Sequence, residues 1–243
     1  MTVTTLDGER GQFSAQTLEG AIVTPNRYDP PQRMVLVEQT ANMGGGTVWP
    51  LSALDAVAAV AHANGMVTHM DGARLLNAVV AAGVPAADMA TGYDTVWLDF
   101  TKGLGAPLGA VLAGDTATID AAWRWKQRLG GALRQGGMCA AACLYALDHH
   151  VDRLAQDHDN ARHLARALAQ LPGLVVEPPE TNLVYVDCAG TGLTAAEVAR
   201  RGRDLGILVS VMGRHRVRLC THLDVDTAML DEAVAAIRTA TTT

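Results

Sequence analysis

The sequence predicts an α/β protein in two parts. A large domain over residues 1–155 has a mainly parallel sheet with helices on both faces, and a small α+β domain covers residues 156–243. Three observations predict it. Apolar runs of strand length alternate with helix-spaced segments from Met34 to Gly114. The pattern from Thr116 to Leu171 is helical almost throughout. Beyond Leu171 the chain changes to short strands around two helices.

The segment ahead of Met34 reads as turn and loop. "MVLVE" (Met34 to Glu38) is a continuous apolar run of the kind used for strands buried on both faces. "PLSALDAVAAVAHANG" starts on proline, places apolar residues at helical spacing and ends on glycine, which is the punctuation of a helix. "MVTHMD" follows as a second strand, "ARLLNAVVAAG" as a helix, "DTVWLDF" as a third strand and "GAVLAG" as a fourth. Strands separated by helices require crossover connections, hence the parallel sheet. The helical stretch breaks at "LGGALRQGG" (Leu129 to Gly137), where glycines are too dense for a continuous helix and a hinge or capped junction is expected. In the small domain "LVVEPP", "NLVYVD", "ILVSV" and "RVRLCTH" read as strands of an antiparallel sheet, with "TAAEVARRGRDLG" and "DTAMLDEAVAAIRTA" as helices.

Composition excludes several function classes. A net charge of −6 with no long basic cluster argues against partners such as nucleic acid or anionic membranes. The most basic stretch, Arg201 to Arg218, alternates with apolar residues and reads as a solvated face. No apolar run approaches the roughly 20 residues of a membrane span, and the first residues lack the apolar core of a secretory signal, so a cytoplasmic protein is expected. Cys139, Cys143, Cys188 and Cys220 match neither zinc nor disulfide spacing and read as buried reduced thiols. His149, His150, His158 and His163 lack paired carboxylates at ligand spacing, so no metal is expected.

In an open parallel sheet, ligands bind outside the carboxyl ends of the strands. Asp71 and Arg74 fall at one such end and Lys102 just past another. A lysine in a tight turn between apolar strands is a candidate Schiff-base amine. An aspartate in the same crevice could keep a pyridinium nitrogen protonated, as pyridoxal phosphate requires of its partner. Spacing leaves a second reading open, in which Asp71 and Arg74 cap the next helix and pair with each other while Lys102 is a solvated turn residue.

"HMDGARLLNA", "TKGLGAPLGAVLAG", "RWKQRLGGALRQGG" with "AAACLYAL", and "VRLCTHLDVD" stand in one order along the chain. Together they resemble the successive signatures of the low-specificity L-threonine aldolases, within the β-eliminating lyase group of fold-type I pyridoxal phosphate enzymes. The resemblance runs from about Gly8 to Ala240. It implies pyridoxal 5'-phosphate as cofactor and retro-aldol cleavage of β-hydroxy-α-amino acids to glycine and an aldehyde. By that likeness Lys102 binds the cofactor's aldehyde, Asp71 faces the pyridine nitrogen and Arg74 lies near the phenolic oxygen. Arg134 resembles a phosphate-side cation, and Arg218 the small-domain arginine that pairs with the substrate carboxylate. His69, two residues before Asp71 on the same strand face, buttresses it or is a satisfied core histidine. The resemblance also implies a homo-oligomer, dimer or tetramer, with shared active sites.

Three departures follow from the same comparison. The family's "ENTHN" stands here as "EQTAN", so Ala41 occupies the place of a histidine that contacts the substrate hydroxyl. Gln127 stands where a lysine near the phosphate is common. About a hundred residues that family members carry ahead of this point, with the helix start that cradles the phosphate through backbone N–H groups, have no counterpart here. "NMGGGTVW" (Asn42 to Trp49) is glycine-rich enough to contact an anion, although it matches a loop of the family itself. The chain thus reads as the carboxyl-terminal two-thirds of such an enzyme. A racemase, a β-eliminating lyase or a non-catalytic part retaining the oligomer interface are the rival readings, and a dinucleotide-binding module fails for want of a G-x-G-x-x-G after the first strand.

Overall fold

A computed structural model describes residues 3–242. The chain forms two compact units, one through Val151 and one from Asp152 onward.

The first unit starts with α1 (Ala15–Gly20), capped by Ser14, whose Oγ accepts from the Thr17 amide at 3.0 Å. This short helix lies in the segment that the sequence presents as turn and loop. β1 (Met34–Glu38), β2 (Val67–Gly72) and β3 (Thr95–Asp99) are parallel, and β4 (Ala110–Gly114) joins β3 antiparallel, in the order β1-β2-β3-β4. α2 (Leu51–Ala63), α3 (Leu75–Ala82) and α4 (Ala86–Ala90) are the crossovers. α2 buries Leu54, Val57, Ala58 and Ala61, a spacing that brings one stripe against the sheet. Each fully buried leucine or valine there contributes about 1.5–3 kcal/mol. α3 ends at Gly83, whose φ of +66° is the left-handed cap that glycine adopts without strain. α5 (Thr116–Arg128), capped by Asp115, and α6 (Gly137–His149) flank the glycine-rich break.

The core of this unit lies on one sheet face, where Val35, Val37 and Met70 meet Leu54, Val57, Leu75 and Ala78. The other face is open. Met34 and Leu36 of β1 are 55% and 52% exposed and Val67 of β2 is 46% exposed, so the expectation of a first strand buried on both sides is corrected. On the second face α5 reaches the β4 edge, where its Ile119 lies near Gly114. A continuous apolar run does not say whether anything covers its outer side.

In the second unit α7 (Leu154–Leu168), α8 (Ala195–Asp204) and α9 (Thr227–Thr241) pack on an antiparallel sheet. Its strands, β5 (Val175–Val176), β6 (Leu183–Asp187), β7 (Ser210–Val211) and β8 (Arg216–Cys220), lie in the order β5-β6-β8-β7. Thr194 and Glu197 form a capping box at the start of α8. Leu164 and Leu168 of α7 meet Val184, Val217, Leu230 and Ile237 in the core. All four cysteines are free, but only Cys188 is buried, and Cys220 is exposed because it alternates with the core residues Val217 and Leu219 and so lies on the other face of β8; the reading of four buried thiols is corrected accordingly. No helix among the described residues is long and apolar enough to cross a membrane.

Candidate active site

The register of the parallel strands assembles the site. Glu38 lies beside Asp71 and Asp71 beside Trp97. Because side chains alternate along a strand, Glu38, His69, Asp71, Trp97 and Asp99 all fall on the open face, toward the carboxyl ends of β1, β2 and β3.

Asp71 stands where β2 turns into α3, and its Oδ1 accepts from the Ala73 amide at 3.1 Å. Beyond β1 the chain clamps this turn: the Gln39 amide donates to Asp71 O at 2.8 Å and the Arg74 amide to Gln39 O at 3.2 Å. Arg74 keeps its Nε buried with no hydrogen-bond partner, a donor built into the site with no protein acceptor. His69 stands one strand period below Asp71 and its Nδ1 is 2.7 Å from Thr95 Oγ1. Burial pushes its pKa down while the Asp71 charge pulls it up, with burial dominant.

Lys102 lies in the turn after β3, which closes through Gly105 N–H to Lys102 O at 2.9 Å. Its Nζ contacts Asp99 Oδ2 and sits 5.0 Å from the centroid of the Trp97 ring. The Asp99 side chain is 6% exposed. Burial pushes its pKa up, but bonds from Lys102 Nζ and from the Thr101 hydroxyl and amide outweigh this and hold it below the usual carboxylate range.

Glu38 ties these groups together. Its Oε2 accepts from the Asn42 amide at 3.0 Å. Burial raises its pKa, the amide bond lowers it, Asp71 raises it, and Arg74 and Lys102 lower it, with a net rise. Asp71, Arg74 and Lys102 therefore act on one carboxyl from three elements and share one neighbourhood.

Position 41 is closed. Ala41 is 3% exposed, and its backbone is bonded to the next loop through Ala41 N–H to Thr47 O at 3.0 Å and Gly46 N–H to Ala41 O at 2.9 Å. The turn from Glu9 to Gln12 lies over it, latched by Thr47 Oγ1 to Arg10 O at 2.8 Å and Arg10 Nε to Gly44 O at 3.3 Å. Gly11, at φ +81°, comes so near that a Cβ on it would stand 2.9 Å from that of Ala41. The Gly45 and Gly46 amides are bonded within the loop, to Asn42 O and Ala41 O, and so are not turned toward an anion.

Arg134 is exposed in the loop after α5, without a hydrogen-bond or ion-pair partner among the described residues, and Gln127 is exposed on α5. Arg218 belongs to the second unit, on β8 opposite Tyr185 and Ser210, with Nη2 3.5 Å from Ser210 Oγ. The structure thus brings together Asp71, Arg74, His69 and Lys102, and leaves Arg134 in solvent. It adds Glu38 and Asp99, whose parts depend on strand register. A carboxylate three residues before the lysine was the only sequence signal for Asp99.

A carboxylate at the strand end, an arginine donor without an acceptor and a lysine on the neighbouring turn fit the ring of pyridoxal phosphate in charge and chemistry. On an α/β sheet with mainly parallel strands, they define the class of fold-type I pyridoxal phosphate enzymes. Within that class the chain belongs to the β-eliminating lyase family, whose model matches residues 1–191; its members use pyridoxal phosphate. It is 34% identical over 225 residues to low-specificity L-threonine aldolase 1 of Arabidopsis thaliana, covering 90% of this chain and 63% of that protein. It is 36% identical over 203 residues to the low specificity L-threonine aldolase of Escherichia coli (strain K12), covering 84% and 59%. The Leishmania major threonine aldolase structure superposes with a TM-score of 0.79 at 19% identity, over 99% of this chain and 70% of that one. The chain therefore spans about three-fifths of the length of the two curated relatives.

Proposed function

We propose that the protein is a pyridoxal phosphate-dependent aldehyde-lyase that cleaves β-hydroxy-α-amino acids of the threonine and allo-threonine type to glycine and an aldehyde. The observation that carries this reading is the placement of Asp71 at the carboxyl end of β2, Arg74 at the start of α3 and Lys102 on the turn after β3, where it pairs with Asp99 on the same sheet face. Residues 1–155 are the cofactor-binding domain and 156–243 the small domain.

In this reading Lys102 would hold the cofactor's aldehyde, Asp71 would pair with the ring nitrogen and Arg74 would supply a donor to the phenolic oxygen. His69, braced by Thr95, supports Asp71 from below. Arg134 supplies charge to the phosphate, and Arg218 orients the substrate carboxylate through its planar fork. When bound, the cofactor supplies the electron sink for the pair released from the Cα–Cβ bond. The Met34, Leu36 and Val67 face supports a homo-oligomer, since bare apolar area of this kind marks association surfaces.

The closed position 41 favours one second reading, racemisation or β-elimination in the same site, because the hydroxyl-contacting histidine is absent and has no space to return. Product analysis separates them. Glycine with an aldehyde from threonine supports the aldolase, and pyruvate with ammonia from serine without glycine supports elimination. Pyridoxal phosphate added to the 243-residue chain should give a visible absorption band that borohydride traps on Lys102 and that Lys102→Ala abolishes. A band that persists in that variant overturns the assignment of the lysine.

A further inference from the structure

We propose that Glu38 takes the proton from the substrate's β-hydroxyl, a task no side chain at position 41 can perform. The inference rests on the aldolase reading above.

Glu38 ends β1 on the open face, beside Asp71 in the register. One oxygen, Oε2, is held by the Asn42 amide, while Oε1 accepts no hydrogen bond from the described residues. The carboxyl is thus fixed in place with one oxygen available. The charged groups that face it are Asp71 from β2, Arg74 from the start of α3 and Lys102 from the turn after β3. Asp99 is bonded by Lys102 and Thr101, and Asp71, which has a single amide bond at Ala73 as Glu38 has at Asn42, is assigned to the cofactor's ring nitrogen in the aldolase reading. Burial and Asp71 together raise the proton affinity of Glu38 more than its partners lower it, and a base works best when its pKa approaches the working pH.

The step balances as follows. The hydroxyl O–H bond breaks as the Cα–Cβ bond breaks. The proton passes to Glu38 Oε1, the O–H electron pair becomes the second C–O bond of the aldehyde, and the Cα–Cβ pair stays on the glycine carbon. That carbon then gains a proton from solvent, and Glu38 loses its own to solvent, so the carboxylate is restored.

The test compares the cofactor-supplied 243-residue chain with Glu38→Gln and Glu38→Asp. Glu38→Gln should lower kcat for glycine release from threonine by about 100-fold or more. It should also remove the acidic limb of the kcat profile and leave KM within about threefold and the cofactor band in place. Glu38→Asp should recover the limb and part of the rate. In the cofactor-free chain, difference infrared spectroscopy should show a carboxyl that titrates above 4.5, the ordinary glutamate value, and is absent from Glu38→Gln. A Glu38→Gln chain with kcat within about threefold of wild type and the same acidic limb, or a Glu38 titration at or below 4.5, overturns the proposal alone. A wild-type chain that binds the cofactor through Lys102 but releases no glycine overturns the aldolase reading and this role with it.

Discussion

Replacing Ala41 by histidine restores the family's residue at a place where this chain has no space for it. Ala41 is almost fully buried, its backbone is bonded to the Thr47 loop, and the Gly11 turn rests on its methyl group. Extra side-chain volume in a closed site costs about 1–3 kcal/mol, and a ring nitrogen buried without a partner costs about 1–3 kcal/mol more. Ala41→His is therefore expected to destabilise the first unit by about 3 kcal/mol. With a urea dependence of about 2 kcal/mol per molar, the midpoint should fall by about 1.5 M. Tryptophan fluorescence is the assay, because Trp49, Trp97, Trp123 and Trp125 all lie in the first unit. Trp49 is buried edge-on to Phe13 with ring centroids 5.2 Å apart, close to the perturbed loop. A midpoint within about 0.5 M of wild type together with faster glycine release would refute the reasoning, since position 41 would then be open to substrate.

Asp99→Asn removes a carboxylate held below its usual range. Such a group stabilises fully above the ordinary pKa of 3.8 and loses its contribution as pH falls through its lower folded value. The variant should be less stable at pH 7 by about 1–3 kcal/mol, and its acid unfolding, followed by tryptophan fluorescence, should be shallower below pH 4 than that of wild type. His158 is buried in the second unit, and burial, aided by the Arg162 charge, lowers its pKa to about 4. The unfolded chain protonates first, so stability should fall between pH 6.5 and 4 by roughly 3 kcal/mol. Urea titrations followed by circular dichroism should show that slope flattened in His158→Asn. Leu164→Ala, in the second unit's core, should cost about 2–5 kcal/mol and leave the tryptophan-reported transition unmoved.

The alternation of elements was legible because burial imposes its period on the chain: the Leu54, Val57, Ala58 and Ala61 stripe of α2 and the Val35 and Val37 alternation of β1 both appear in the sequence. α1 escaped notice because six residues give less than two turns of period, and its one clear mark is the Ser14 cap. Asp71, Arg74 and Lys102 stood out as charges at strand ends. Glu38 and Asp99 did not, since their parts arise from which residue of one strand lies beside which of the next. The closure over Ala41 depends on the Glu9–Gln12 turn reaching a loop thirty-odd positions onward, a contact that no local pattern encodes. The exposure of Arg134 follows from a glycine-rich loop that buries nothing around it.

The two strand orders assign different histories to the two units. In the first, each strand pairs with the one made just before it, so this sheet can grow as the chain leaves the ribosome, through contacts of short sequence separation. In the second, β8 slots between β6 and β7, both synthesised earlier. The β6–β8 pairing at the centre of that sheet therefore forms only after β7 has been made, and a stall in translation before Arg216 leaves the second unit without one of its two inner strands.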